Sequence, residues 1–195
     1  MKPPILVLAS SSPRRRELLR QLGHTFRIQD SRTAEIVAEH LAPHEICLVN
    51  AAAKARAVAR RFPAALVLGA DTEVALGTRV FGKPRNRREA AAFLRALAGR
   101  THQVITGVCL LCAARGLRRS FVETTHVTFH PLTDRQIAAY LRLVHPLDKA
   151  GAYAVQEQGQ LLIERIDGSL TNVVGLPLGP LRLALAALPA ELRPR

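Results

Sequence analysis

Two periods of apolar residues alternate along this chain. Ile5 to Ala9 is an unbroken apolar run of the length of a buried strand, and the polar stretch Ser10–Ser12 interrupts it. Ser12 is then placed to cap a helix that Pro13 opens, with Leu18, Leu19 and Leu22 as its core face and Gly23 at its end. Phe26 and Ile28 alternate in a second strand, which the polar stretch Ser31–Glu35 follows. Pro43 starts a long helical pattern through Ile46, Val49, Ala53 and Val58 that ends before Pro63. Ala65–Leu68 reads as a buried strand leading through Gly69 and Asp71 into a second extended piece that stops at Gly77.

Asn86 is placed to cap a helix that Gly99 closes. From Thr101 to Phe129 the β-branched content rises, and Ala113–Leu117, with Gly116, predicts the turn of a long antiparallel hairpin. Thr133 or Asp134 caps a helix reaching Leu143, Gln160–Asp167 predicts a strand, and Pro180–Leu188 a closing helix. There is no internal repeat and no linker. These elements predict one α/β domain over residues 1–195, with a mixed, partly antiparallel sheet flanked by helices.

Composition narrows the class. The 195 residues are 48% hydrophobic, enough for a real core, and no apolar run approaches a membrane span. Three irregularly spaced cysteines do not make a disulfide framework, and no signal peptide is apparent, so a cytoplasmic location is expected. Cys109 and Cys112 are spaced to point to opposite faces of a strand, which argues against a redox or zinc pair.

The net charge of +13 admits nucleic acid, an anionic membrane surface or a phosphorylated small molecule as partner. Aromatics at 4%, with no tryptophan, leave little stacking surface and weigh against nucleic acid. Nearly all the cations are arginine, as a coding bias would produce; the lysines are Lys2, Lys54, Lys83 and Lys149, and each is the more informative for it.

The chemistry concentrates at a few places. A strand running into a helix N-terminus collects unpaired N–H groups and the positive end of the helix dipole, and Ser10, Ser12, Arg14 and Arg15 add phosphate donors there. The bland alternative is a well-capped surface helix with solvated arginines. Asp71 follows an apolar strand, where open α/β sheets place reactive groups, although a turn-forming Asp fits equally. Lys83 projects from a stiff Gly-Lys-Pro loop, and Lys54 lies among alanines in mid-helix. P-loop, dinucleotide-binding and serine-nucleophile signatures are absent.

LASSSPRRRELL, GADTEV, GKPRN, LDKAGAYAVQ and DGSLTNVVGLPL occur in that order, and together they resemble the Maf family of nucleoside triphosphate pyrophosphatases over Leu8 to about Leu178. The resemblance implies an inosine-triphosphatase-like fold with two lobes around a basic cleft. It also implies hydrolysis of the α–β phosphoanhydride of a nucleoside triphosphate, with a divalent cation, usually Mg²⁺. Ser10, Arg14 and Arg15 would lie around the phosphates; Glu35, Lys54, Asp71 and Lys83 would complete the site. Asp71 is the general base in this scheme, and Glu35 and Asp71 are also the carboxylates suited to the metal. Arg14, Thr72 and Gln156 match the trio of the dTTP and UTP type. Here Ala34-Glu35 stands where the family usually has Asp-Glu, and Gly82 replaces an acidic residue often found before the Lys-Pro pair.

The leading expectation is thus a nucleotide-pool housecleaning enzyme, with a homodimer as an allowed assembly. The alternatives are a basic nucleic-acid-binding or cell-division regulatory protein on the same scaffold, and a Maf pyrophosphatase preferring another base such as 7-methyl-GTP.

Overall fold

The computed structural model describes residues 3–36 and 40–194. Its elements in chain order are β1 (Leu6–Leu8), α1 (Pro13–Arg20), β2 (Phe26–Ile28), α2 (Pro43–Ala59), β3 (Leu66–Leu76), β4 (Arg79–Phe81) and α3 (Arg87–Leu97). The hairpin β5 (Thr101–Cys112) and β6 (Leu117–Phe129) follows, then α4 (Asp134–Leu143), β7 (Ile163–Asp167), α5 (Leu170–Val174) and α6 (Leu178–Ala186). The strands form one mixed sheet in the order β2-β1-β3-β5-β6-β7, with β4 paired to β3. β1 is parallel to both β2 and β3, with Leu8 opposite Ile28 and Leu68, whereas β4 and β7 pair antiparallel. The mixed α/β architecture expected from the apolar pattern is therefore observed.

Two compact units divide the chain. The first comprises Met1–Asp71, Thr106–Glu123 and Gly175–Arg195, and the second Thr72–Ile105 and Thr124–Val174. Each has its own core. In the first, Val7, Ala51, Ala55, Val58, Val67 and Cys109 pack together; in the second, Val74, Phe81, Leu94, Val127, Phe129 and Tyr140 do so.

The capping signals act as the sequence predicts. Ser12 Oγ accepts the Arg15 N–H at 3.4 Å, Asn86 Oδ1 accepts from Glu89 N at 2.9 Å, and Thr133, not Asp134, caps α4 by accepting from Gln136 N at 3.3 Å. Gly116 closes the hairpin turn at φ 59°.

Three expectations need correction. Extended structure continues through Gly69 and Asp71 as the single 11-residue strand β3, so Asp71 lies within a strand and not at its end. α6 begins at Leu178, two residues before Pro180, which its first turn accommodates. Finally, α2 buries Ile46 and Val58 of its apolar pattern but turns Val49 outward, at 39% exposed, and buries Cys47, Ala51 and Ala55 as well. Close backbone approach decides this. A Cβ at Gly69 would lie 2.2 Å from the Ala51 carbonyl oxygen, and one at Gly107 would lie 2.5 Å from the Cys47 carbonyl carbon. Two strand glycines thus let α2 sit directly on the sheet through its small residues, and Asn50 and Lys54 are carried inward on the same side.

Candidate functional site

Parallel pairing brings three segments to the carboxyl-terminal edge of the first unit's strands. Ala9 N donates to Leu68 O at 2.8 Å and Gln29 N to Leu8 O at 3.0 Å, so the chain leaves β1 at Ser10 beside β3, while β2 leads into the Ser31–Glu35 segment. This is the edge at which open α/β sheets bind ligands.

At that edge Lys54 joins two carboxylates. Its ammonium, on a residue only 8% exposed, donates to Asp71 Oδ1 at 2.5 Å and to Glu35 Oε1 at 2.8 Å. Asp71 is 2% exposed, whereas the Glu35 side chain keeps a third of its surface in water. A residue missed by the sequence analysis completes the group. Asn50 Nδ2 donates to Asp71 Oδ2 at 3.2 Å, and the same amide clamps the backbone of Ile36 by accepting from its N–H at 2.8 Å and donating to its carbonyl at 3.2 Å. Asn50 thereby fixes both Asp71 and the residue next to Glu35. Its signal was the spacing to Lys54: i and i+4 share a helix face, and both are polar in a helix that otherwise buries small apolar residues.

The first turn of α1 supplies the cations. Ser10 Oγ accepts from Ser12 N at 3.2 Å, and Ser12 Oγ is the helix cap, so each hydroxyl serves the backbone as acceptor and keeps its O–H for donation. Arg14 and Arg15 are half-buried, and Arg15 Nε donates to Gly175 O at 2.9 Å. Burial lowers the Arg15 guanidinium below the ordinary arginine value; Asp71 and Glu35 pull it back up, and Arg14 pushes it further down. Arginines and carboxylates thus act on one another electrostatically around α1, α2 and β3.

The other candidates lie in the second unit. Thr72 is half-buried on β3, Lys83 is exposed in the segment after β4, and Gln156 is exposed in a turn at residues 155–158. The DGSLTN motif is a clamp. Asn172, fully buried in α5, donates to Val104 O at 2.9 Å and Thr125 Oγ1 at 3.0 Å, and Ser169 N donates to the same hydroxyl at 3.1 Å. All three cysteines are buried free thiols.

Metal binding can be tested on the donors present. Glu35 and Asp71 offer hard carboxylate oxygens that already share one ammonium. Among the described residues no group of three or more His, Cys, Asp or Glu side chains forms a cage. Such a set fits Mg²⁺, which binds through one or two carboxylates and takes its remaining ligands from water and substrate phosphates. Among the described residues no helix is long and apolar enough to cross a membrane.

Comparison with known proteins identifies the family. The chain is 54% identical over 173 residues to a dTTP/UTP pyrophosphatase of Moorella thermoacetica, covering 89% of each chain. It is 46% identical to a dTTP/UTP pyrophosphatase of Bacillus velezensis, over 92% of this chain and 94% of that one. A solved structure of the Staphylococcus aureus Ham1 protein superposes with a TM-score of 0.53 at 15% identity, covering 93% of this chain and 97% of that one, which bears on the fold alone. The profile described as Maf-like protein matches residues 5–188. With that span and these relatives behind it, the chain that gathers Lys54, Asp71 and Glu35 at its sheet edge belongs to the Maf family.

Proposed function

We propose that this protein hydrolyses the α–β phosphoanhydride of dTTP and UTP, releasing the nucleoside monophosphate and pyrophosphate. The observation that carries the reading is the buried Lys54 held between Asp71 and Glu35 beside the arginine-bearing start of α1. Relatives about half identical over most of the chain are named for this activity.

The chemistry needs positioning and charge stabilisation more than covalent help. A water oxygen attacks the α-phosphorus, the bond from that phosphorus to the bridging oxygen breaks, and pyrophosphate leaves with the bonding pair. Asp71 takes the water's proton. Its carboxylate is oriented for this by Lys54 on one oxygen and Asn50 on the other, and each oxygen retains a lone pair. Ser10, Ser12, Arg14 and Arg15 donate to phosphate oxygens at the α1 N-terminus. Lys83 adds a further cation from its exposed loop.

Glu35 and Asp71 would hold Mg²⁺, which supplies Lewis-acid stabilisation of phosphate charge when bound. Arg14, Thr72 and Gln156 would select the base, since a glutamine amide offers both the donor and the acceptor that a uracil or thymine edge requires. A reducing cytoplasm holds the nucleotide pool this activity would serve, and the three free thiols are compatible with it.

The test is turnover with Mg²⁺ on dTTP, UTP, CTP, GTP, 7-methyl-GTP and ATP. Pyrophosphate release fastest from dTTP and UTP is expected. Preference for another base would overturn dTTP and UTP as the substrates and the selecting role of Arg14, Thr72 and Gln156 but not the reaction, and no release from any nucleotide by folded protein would overturn the reading.

A further inference from the structure

The segment that carries Gln156 contains neither strand nor α-helix. It is assembled from short 3-10 turns, Pro146–Asp148, Ala150–Ala152 and Gly159–Leu161, with the turn at 155–158 between the last two. Gly151, Ala152 and Gln158 all have left-handed backbones, at φ 69°, 66° and 57°. Residues with a Cβ hold that conformation only where their surroundings impose it. A Cβ at Gly151 would in addition crowd Val74, 2.9 Å from its Cγ2.

Lys149 supplies much of the constraint. Only 4% exposed, its ammonium donates to His145 O at 2.6 Å and Asp148 Oδ1 at 2.8 Å on the incoming side, and pairs with Glu157 Oε2 at 3.1 Å on the outgoing side. Two hydrogen bonds and one ion pair thus hold the ammonium between the two sides. Glu157 is the neighbour of Gln156. We propose that Lys149 is a positioning residue for nucleotide selection: by stapling the two ends of this loop it sets where the Gln156 amide stands. The proposal rests on the pyrophosphatase reading and on Gln156 as the reader of the base.

The staple can be released without dismantling its surroundings. Ala154 N donates to Tyr140 Oη at 3.2 Å and Gly151 N to Gly82 O at 3.2 Å, and both bonds are independent of Lys149. The side chains of Asp148 and Glu157 are 53% and 41% exposed, so without the ammonium they turn to water and are not left buried and unpaired. What loosens is the turn bearing Gln156. A mobile amide can offer its donor or its acceptor to any base edge, so discrimination falls, while Asp71, Lys54 and Glu35 are untouched.

The experiment compares wild type with Lys149→Met and Glu157→Gln in steady-state hydrolysis of dTTP, UTP, CTP and ATP, with folding checked by circular dichroism. For Lys149→Met we expect kcat on dTTP within about twofold of wild type, KM raised about tenfold, and the preference for dTTP over CTP reduced about tenfold. Glu157→Gln should move KM and preference in the same direction by less. Unchanged KM and preference in both folded variants would overturn the proposal, as would a uniform fall in kcat on every nucleotide with preference retained. If Lys149→Met does not fold, Glu157→Gln decides alone by the same criteria. A wild type that releases no pyrophosphate would overturn the underlying reading before any variant is compared, and the proposal with it.

Discussion

Asn50 shows how much one side chain can settle. Its amide holds Asp71 on one side and both backbone groups of Ile36 on the other, so the loop carrying Glu35 and the strand carrying Asp71 are indexed to the same turn of α2. Replacing it by alanine takes a donor from the buried Asp71 Oδ2, at about 1–3 kcal/mol, and leaves the backbone of the exposed Ile36 to turn to water. Asn50→Ala should therefore lower kcat on dTTP by at least about tenfold and lower the denaturation midpoint as well. Stopped assays with chemical denaturation read both, and a variant with wild-type kcat would show that Asp71 does not depend on this contact. Asp71→Asn should cut turnover by about a hundredfold or more, the scale of losing a general base, while the protein stays folded: the amide oxygen can still accept from Lys54, and the amide N–H₂ that then faces the Asn50 donor costs about 1–3 kcal/mol. Cationic and acidic residue types were visible in the sequence. Asn50 was marked only by its i, i+4 spacing to Lys54, and a helical asparagine acquires meaning from what its other face meets.

At the scale of elements, α2 is the instructive case. Of its larger side chains Ile46 and Val58 are buried but Val49 is not, because Gly69 and Gly107 admit the helix backbone so closely that Cys47, Ala51 and Ala55 form the contact beside them. A sequence displays the size of side chains better than the absence of them on a partner strand, so Val49 was misplaced while the helix itself was legible. The same packing delivers Asn50 and Lys54 to Asp71. Gly69→Ala should accordingly unfold the protein at lower denaturant by about 1–3 kcal/mol or more, since the new methyl would meet the Ala51 carbonyl within 2.2 Å and that partner is backbone. An unchanged midpoint would mean that α2 shifts outward at no cost. Continuous β3 was obscured in the same way: Gly69 and Asp71 read as turn residues until the helix that covers them is known. The caps and the hairpin, by contrast, depend on neighbours three or four residues away and were legible throughout.

For the molecule as a whole, pH and charge set the terms of stability and binding. His102 is buried in the second unit against Phe129 and Tyr153, its Nε2 2.8 Å from the Tyr153 hydroxyl, and burial lowers its pKa to about 4. The unfolded chain, with a histidine near its ordinary value of 6.5, binds this proton first. Stability from this group is thus complete above about pH 6.5, declines as pH falls through that value and continues to decline down to about 4, by up to roughly 3 kcal/mol. Urea midpoints between pH 7 and 5 should fall in wild type and fall less in His102→Gln; parallel curves would show that His102 is not the source. The net charge of +13 draws in a polyanionic substrate from a distance, an effect that salt screens.

The most direct measurement is the fate of the phosphates. Purified protein with Mg²⁺ and dTTP in heavy-oxygen water, followed by phosphorus NMR and mass spectrometry, should give dTMP and pyrophosphate in equal amounts, with the heavy oxygen in dTMP. Orthophosphate with dTDP, or heavy oxygen in the pyrophosphate, would contradict attack at the α-phosphorus and the site built around Asp71 and Lys54.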